Sequence, residues 1–185
     1  MRDKLLDAAQ TMVQGRGLNA VSFQDLADAV GLKKPSVFHH FPTKEALAQS
    51  LLERCRTTYG ARYGEILARQ DLSEPERLRE IARVFDEGLR TNHLCLLSAL
   101  SNNCEDFSGE LKGEMQETVS IVIERYAELF DAGRTAGTLD FQGSPHEAAT
   151  AFLAMLQGLQ VLARARNDLG SFLPAATAYI DSISN

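Results

Sequence analysis

No window in the 185 residues approaches the roughly 20 unbroken apolar residues of a membrane span. The start, Met1-Arg2-Asp3-Lys4, leads into an amphipathic pattern rather than the apolar stretch of a secretory signal. Both absences predict a soluble, cytoplasmic chain with no membrane partner. Cysteine is scarce as well. Cys55, Cys95 and Cys104 are odd in number and fit neither a CxxC pair nor a disulfide framework, so any redox role is sensing rather than stapling. Five prolines and 13 glycines suggest no long flexible linker. Missing too are the H-E-x-x-H and E-x-x-H patterns of helical metal sites, a Walker loop and a serine elbow, and Gly15-Arg16-Gly17 lacks the third glycine and preceding strand of a dinucleotide fingerprint. An all-helical enzyme is left as a remote alternative, with no catalytic residue, metal site or cofactor to name.

What is there is ordinary globular material: 44% apolar and 24% charged residues, enough to bury a core in one large domain or two small ones. The net charge of −6 is unevenly spread. Residues 1–56 hold eight Lys and Arg against six acids, whereas the remainder holds 11 against 19. The overall acidity argues against a nucleic-acid partner only until it is divided this way, into a mildly basic head and an acidic body.

Apolar residues recur at helical spacing almost throughout, and no segment sustains the alternation of a strand. Leu5, Leu6, Ala9, Met12 and Val13 predict an amphipathic helix over 2–14 that stops at Gly15-Arg16-Gly17. Ser22, with Asp25 three residues on, predicts a capped helix over 23–30 ending at Gly31. A short third helix over 34–41 is broken by Pro42-Thr43, and a long fourth runs from Lys44 to about Arg69, weakened at Gly60 and Gly64. Ser73-Glu74-Pro75-Glu76 opens a helix to about Gly88. Others are expected over 94–102, over 108–135, from Ser144-Pro145-His146-Glu147 to about 166, and over 171–184. Residues 148–163, AATAFLAMLQGLQVLA, are apolar on nearly every side. They fit a central core helix, or a helix with one face on its own core and the other on a second subunit.

The segment that carries function is SFQDLADAVGLKKPSVFHHF, Ser22 to Phe41. Two short helices meeting at a corner need a small residue where they approach, supplied by Ala27, and a left-handed backbone at the turn, which Gly31 permits. Leu26, Val30, Leu32 and Val37 then close the core beneath the corner. This is a helix-turn-helix pattern, whose second helix enters the major groove. The pattern alone is shared by many helical hairpins, but here it is followed by HHFPTKEAL, residues 39–47.

Taken together, residues 5–53, LLDAAQTMVQGRGLNAVSFQDLADAVGLKKPSVFHHFPTKEALAQSLLE, closely resemble the TetR/AcrR-type transcriptional regulators. The resemblance implies an all-α homodimer with a three-helix DNA-binding head, a long fourth helix, and a C-terminal helical bundle that holds an effector and dimerises through its last two helices. Domain limits of 1–47 for DNA binding and 48–185 for effector binding and dimerisation follow from it. It places a phosphate-contacting hydroxyl at Ser22, a groove-facing side chain at Gln24, DNA-facing Lys34, Ser36, Phe38 and His39 on the third helix, and a phosphate contact at Lys44. Gln24, Lys34 and Ser36 are the candidates for base readout. Two positions depart from the family. Lys33 stands where Ser or Thr commonly caps the recognition helix and is itself a candidate phosphate contact, and Phe38 replaces a frequent tyrosine. Plainer readings exist for several of these: Lys33 and Lys34 as a solvated pair, His39 and His40 as surface or core histidines with His40 turned inward, Ser22 as a cap only.

The body offers apolar pocket candidates, among them Phe85, Leu89, Phe107, Met115, Val119, Tyr126, Phe152, Met155 and Leu159, most of which fit plain core equally well. Residues 93–104, HLCLLSALSNNC, resemble the cysteine segment of TetR-type repressors that respond to electrophiles such as N-ethylmaleimide and quinones, or to hypochlorite. That resemblance makes Cys95 the reactive thiol, with Cys104 near the position of a second cysteine. The opposing reading is that a free cysteine is a small buried hydrophobe. If 95–104 is one helix, its ends lie roughly 13 Å apart, beyond the roughly 7 Å limit for a bridge. The functional expectation is a one-component repressor on a palindromic operator, released by an electrophile at Cys95 or, alternatively, by a reversibly bound apolar ligand.

Overall fold

The computed structural model describes residues 1–185. Its helices are α1 (Arg2–Arg16), α2 (Phe23–Val30), α3 (Lys34–His40), α4 (Lys44–Arg54), α5 (Gly60–Leu67), α6 (Glu74–Arg90), α7 (Leu96–Ser101), α8 (Gly109–Ala136), α9 (Pro145–Ala165) and α10 (Phe172–Ser182). Leu139 and Ser184 form one isolated antiparallel bridge, and there is no strand. The all-α class with an N-terminal helix-turn-helix is as expected.

The chain gathers into two compact units, one of Met1–Tyr59 with Asn92–Glu117 and one of Gly60–Thr91 with Thr118–Asn185. This division differs from a limit at residues 47 and 48. Helix α4 passes through that point unbroken because Leu47, Ala48, Leu51 and Leu52 are all buried, and α7 packs against both α1 and α4. Residues 92–117, which carry Cys95 and Cys104, therefore lie in the same compact unit as the helix-turn-helix.

In the first unit α1 buries Leu5, Ala9 and Val13 and stops at Gly17, whose φ of 84° is open to glycine. Leu26, Ala27, Val37 and Phe41 complete the core beneath the corner, while Val30 and Leu32 are half-buried. The single helix expected from Lys44 to about Arg69 is interrupted by a π-helical turn at Cys55–Tyr59. Thr57 Oγ1 donates to the carbonyls of Glu53 (3.0 Å) and Arg54 (3.3 Å), and this local bonding competes with regular helix in a β-branched pair, Thr57-Thr58. The helix expected over 94–102 shrinks to six residues and is followed by a 3-10 turn at Cys104–Asp106, so Cys95 and Cys104 do not share one helix.

The second unit centres on α6, α9 and α10, with Leu78, Ile81, Phe85, Phe152, Leu156, Phe172 and Ile180 in its core. Tyr126 meets Tyr63 and Phe152 edge to face, and the buried Gln160 donates Nε2 to the Phe85 carbonyl at 2.8 Å. Helix α9 starts at a complete capping box, Ser144 with Glu147, and proline at its first turn. At 21 residues it is, by length and composition, apolar enough to cross a membrane, which the sequence reading did not anticipate. It buries Ala149, Phe152 and Leu156 on one side. Ala151, Ala154, Gly158, Val161, Leu162 and Ala165 lie exposed on another, with Val161 50% and Leu162 58% accessible.

Candidate nucleic-acid interface

The local chemistry of α2 and α3 fixes the corner. Ser22 Oγ accepts from the Asp25 amide (3.1 Å) while Asp25 Oδ2 accepts from the Ser22 amide (2.8 Å), a reciprocal cap that replaces two missing helix partners. Arg16 adds an ion pair to Asp25 at 2.9 Å. The Ser22 amide and hydroxyl, helped by Arg16, hold the Asp25 carboxyl below its ordinary range. At the other end Gly31 is left-handed (φ 70°, ψ 33°), with the Leu32 amide donating to the Ala27 carbonyl (2.8 Å) and the Gly31 amide to that of Asp28 (3.4 Å). These two bonds make a Schellman stop, which sets the direction of α3.

Helix α3 presents Lys34, Phe38 and His39 to solvent, with Ser36 and His40 half-buried. Lys33 occupies the cap position without a side-chain cap bond, so the hydroxyl cap of the family pattern is absent; Pro35 in the first turn and the Ser36 amide on the Lys33 carbonyl (2.9 Å) start the helix instead. Phe38 is 45% exposed, packs edge-on against Phe23 (4.9 Å), and carries Lys34 Nζ over its face (5.8 Å). Gln24 is exposed and donates to Asp28 at 2.7 Å.

Lys44 begins α4. Its ammonium donates to the carbonyls of Asn19 (3.0 Å) and Leu18 (3.5 Å), tying the α1–α2 loop to the start of α4, while Thr43 Oγ1 caps the Ala46 amide (3.0 Å). The amides of Lys44 and Glu45 stand at the positive end of that helix. Ser22, Gln24, Lys33, Lys34, Phe38, His39 and Lys44 are all exposed within the first unit, whereas Ser36 is half-buried.

The cysteine segment packs on the same unit. Cys95 is half-buried and stands at the N-cap of α7 without a side-chain cap bond. Cys104 lies in the 3-10 turn, where burial and the neighbouring Glu105 push its thiol up against the pull of Lys112. Two hydrogen bonds connect this segment to the helix-turn-helix: Glu45 accepts from the Ser108 amide (2.8 Å), and Asn19 Nδ2 donates to Asp106 (3.4 Å). The Ser108 bonds hold the Glu45 carboxyl below its ordinary range. These partners lie 63 and 87 residues apart, so no local pattern announces them. Phe107 and Met115, expected as pocket residues of the body, are buried in the first unit, whereas Phe85, Leu89, Tyr126 and Phe152 are buried in the second. No three His, Cys, Asp or Glu side chains gather as metal ligands would.

Residues 5–51 match the model of the bacterial regulatory proteins, tetR family. The biofilm operon icaADBC HTH-type negative transcriptional regulator IcaR of Staphylococcus aureus (strain Newman) is 26% identical over 145 residues, 77% of this chain and 76% of that protein. A TetR-family transcriptional regulator from Agrobacterium tumefaciens has the same fold over 100% of this chain and 97% of its own, with a TM-score of 0.91 at 23% identity. The reduced form of NemR from E. coli covers the same shares at a TM-score of 0.81 and 24% identity. The helix-turn-helix built on Ser22, Ala27 and Gly31 thus lies within the stretch that matches the tetR family, and the fold of the whole chain is shared from end to end with solved regulators of that type.

Proposed function

We propose that the protein is a one-component repressor that binds a palindromic operator as a homodimer and leaves it when an electrophile modifies Cys95. The observation that carries this reading is the rigidly stopped corner at Gly31, which holds α3 with Lys34, Phe38 and His39 exposed beside the α4 start. Ser22, Lys33 and the α4 start at Lys44 hold phosphates, the last through backbone amides as well as charge. Gln24, Lys34 and Ser36 read base edges, and Phe38 and His39 pack on the groove wall. DNA binding is assigned to 1–47 and effector response with dimerisation to the remainder; no catalytic activity is assigned, and the site of action is the cytoplasm.

The exposed apolar face of α9, with α10 beside it, is the dimer surface. Release through Cys95 is supported by its half-buried N-cap position in the unit that contains the reading head, and Cys104 is the secondary thiol. A second reading, a reversibly bound apolar ligand, is favoured by the aromatic group Tyr63, Phe85, Tyr126 and Phe152 in the second unit.

The deciding experiment is binding to DNA from upstream of the protein's own gene, before and after mild N-ethylmaleimide, with dithiothreitol controls. Loss of binding that Cys95→Ser abolishes supports covalent sensing. Release that survives the substitution refutes it and directs the search to apolar ligands. Absence of retention on any promoter fragment refutes the repressor.

A further inference from the structure

Cys55 has no part in the function proposed above. In the structure it is the first residue of the π-helical turn, and Tyr59 is the last. Gln14 of α1 joins the end of that turn to the segment just before α7. Its backbone carbonyl accepts from the Leu94 amide (3.2 Å), and its Nε2 donates to the Leu94 carbonyl (2.8 Å) and to the Tyr59 hydroxyl (3.3 Å). Gln10 donates to the same hydroxyl at 3.2 Å. The Gln14 side chain is buried, so these bonds are shielded from water, and α4 packs directly against α7. The residue before Cys95 and the turn that begins at Cys55 are thus held to one side chain.

Burial and the negative charge of an ionised Cys95 push the Cys55 thiol up to about 12, against the pull of Arg56. Cys55 therefore stays protonated at neutral pH and is not the thiol that reacts first. The charged groups that act on the Cys104 thiol are Glu105 and Lys112.

We propose that Cys55 and Cys95 are a redox pair, in which Cys95 is oxidised by a peroxide and Cys55 resolves it to an intrachain disulfide. The inference rests on the reading of Cys95 as the reacting thiol. In the first step the Cys95 thiolate attacks a peroxide oxygen. The S–O bond forms as the O–O bond breaks, the sulfur loses two electrons, and the leaving alkoxide or hydroxide takes a proton. In the second the Cys55 sulfur attacks the sulfenic sulfur. The S–S bond forms, the S–O bond breaks, and the hydroxyl leaves as water with the Cys55 proton. The chain loses two hydrogens, and dithiothreitol restores them. The bridge draws the first residue of the π turn and the cap of α7 together, at the far end of the helix that Lys44 begins.

The test uses the full-length protein, treated with hydrogen peroxide, blocked with iodoacetamide, digested without reduction and mapped by mass spectrometry. The wild type and Cys104→Ser yield a Cys55–Cys95 linked peptide that dithiothreitol removes. Cys55→Ser yields none and accumulates Cys95 sulfenic acid, trapped by dimedone several-fold above wild type. Equal dimedone labelling in both with no linked peptide overturns the pair, as does a Cys95 bridge to Cys104 or to a second chain. Operator release by N-ethylmaleimide separates this inference from the reading beneath it. Release that needs Cys95, without a linked peptide, removes the pair and keeps the sensor; a linked peptide without such release does the reverse.

Discussion

Replacing Gly31 with alanine isolates one energetic quantity. The residue sits at φ 70° and ψ 33°, and a Cβ built there meets nothing within 4 Å, so no steric clash enters the account. What remains is the preference of an L-residue against left-handed backbone, about 1–2 kcal/mol. For a chain of this size one kcal/mol moves Tm by about 2–4 °C. Gly31→Ala should therefore lower Tm by roughly 2–8 °C, read by circular dichroism at 222 nm, with a matching fall in the urea midpoint. Asparagine tolerates the left-handed region, so Gly31→Asn should recover at least half of the loss. Both variants keep the Leu32 and Gly31 amide bonds, which are backbone groups. An unchanged Tm for alanine, or an asparagine variant as unstable as alanine, would refute the argument that conformation alone sets the requirement at this corner.

Two glycines of α8 should respond to alanine with opposite signs. Gly113 is open around its Cβ position and should gain about 0.5–1 kcal/mol, whereas a Cβ at Gly133 would stand 2.4 Å from the buried Leu139 Cδ1 and should lose stability; urea midpoints that rise for both overturn this. Leu162→Glu puts a charge on the exposed face of α9 and should shift the protein to monomer by analytical ultracentrifugation while leaving its helicity intact; an unchanged dimer moves the interface elsewhere. Lys44→Ala should weaken operator binding and reduce the slope of log K against log salt by about one, and affinity indifferent to both excludes the phosphate contact. Glu45 has a folded pKa below its unfolded value, so its contribution is present above the ordinary carboxylate range and is lost as pH falls through the folded pKa. Glu45→Gln should flatten the acid limb of stability against pH, and an unaltered limb shows that the Ser108 bond carries none of it.

The corner was legible because its determinants are local. A hydroxyl three residues before an acid, a small residue at the crossing and a glycine at the stop each act within one helical turn, and α2 falls on the residues expected. Capping chemistry likewise placed the starts of α6 and α9. The π turn was not legible, because Leu47, Leu51, Leu52, Cys55 and Tyr59 read as one continuous helical face and the Thr57 hydroxyl bonds that disturb it depend on the backbone already formed. The membership of residues 92–117 in the first unit was hidden for a different reason. Gln14 with Leu94, Glu45 with Ser108 and Arg56 with the Glu114 carbonyl join residues 58 to 80 positions apart, and neither periodicity nor caps carry that information. The tie of the Lys44 ammonium to the Leu18 and Asn19 carbonyls, 26 and 25 positions away, is hidden from local pattern in the same way.

Because the first unit is assembled from Met1–Tyr59 and Asn92–Glu117, its last piece leaves the ribosome well after its first. At roughly 5–20 residues per second the interval is about 3–12 s. During that time α1 to α4 exist without α7, and the surface that α7 will cover, including the side chain of Gln14, faces solvent or a chaperone. A gene cut at any single point divides one unit or the other, so a reading head exchanged between relatives at the end of α3 would arrive without the segment it packs against. Grafts between such proteins should keep residues 92–117 with the head they came from.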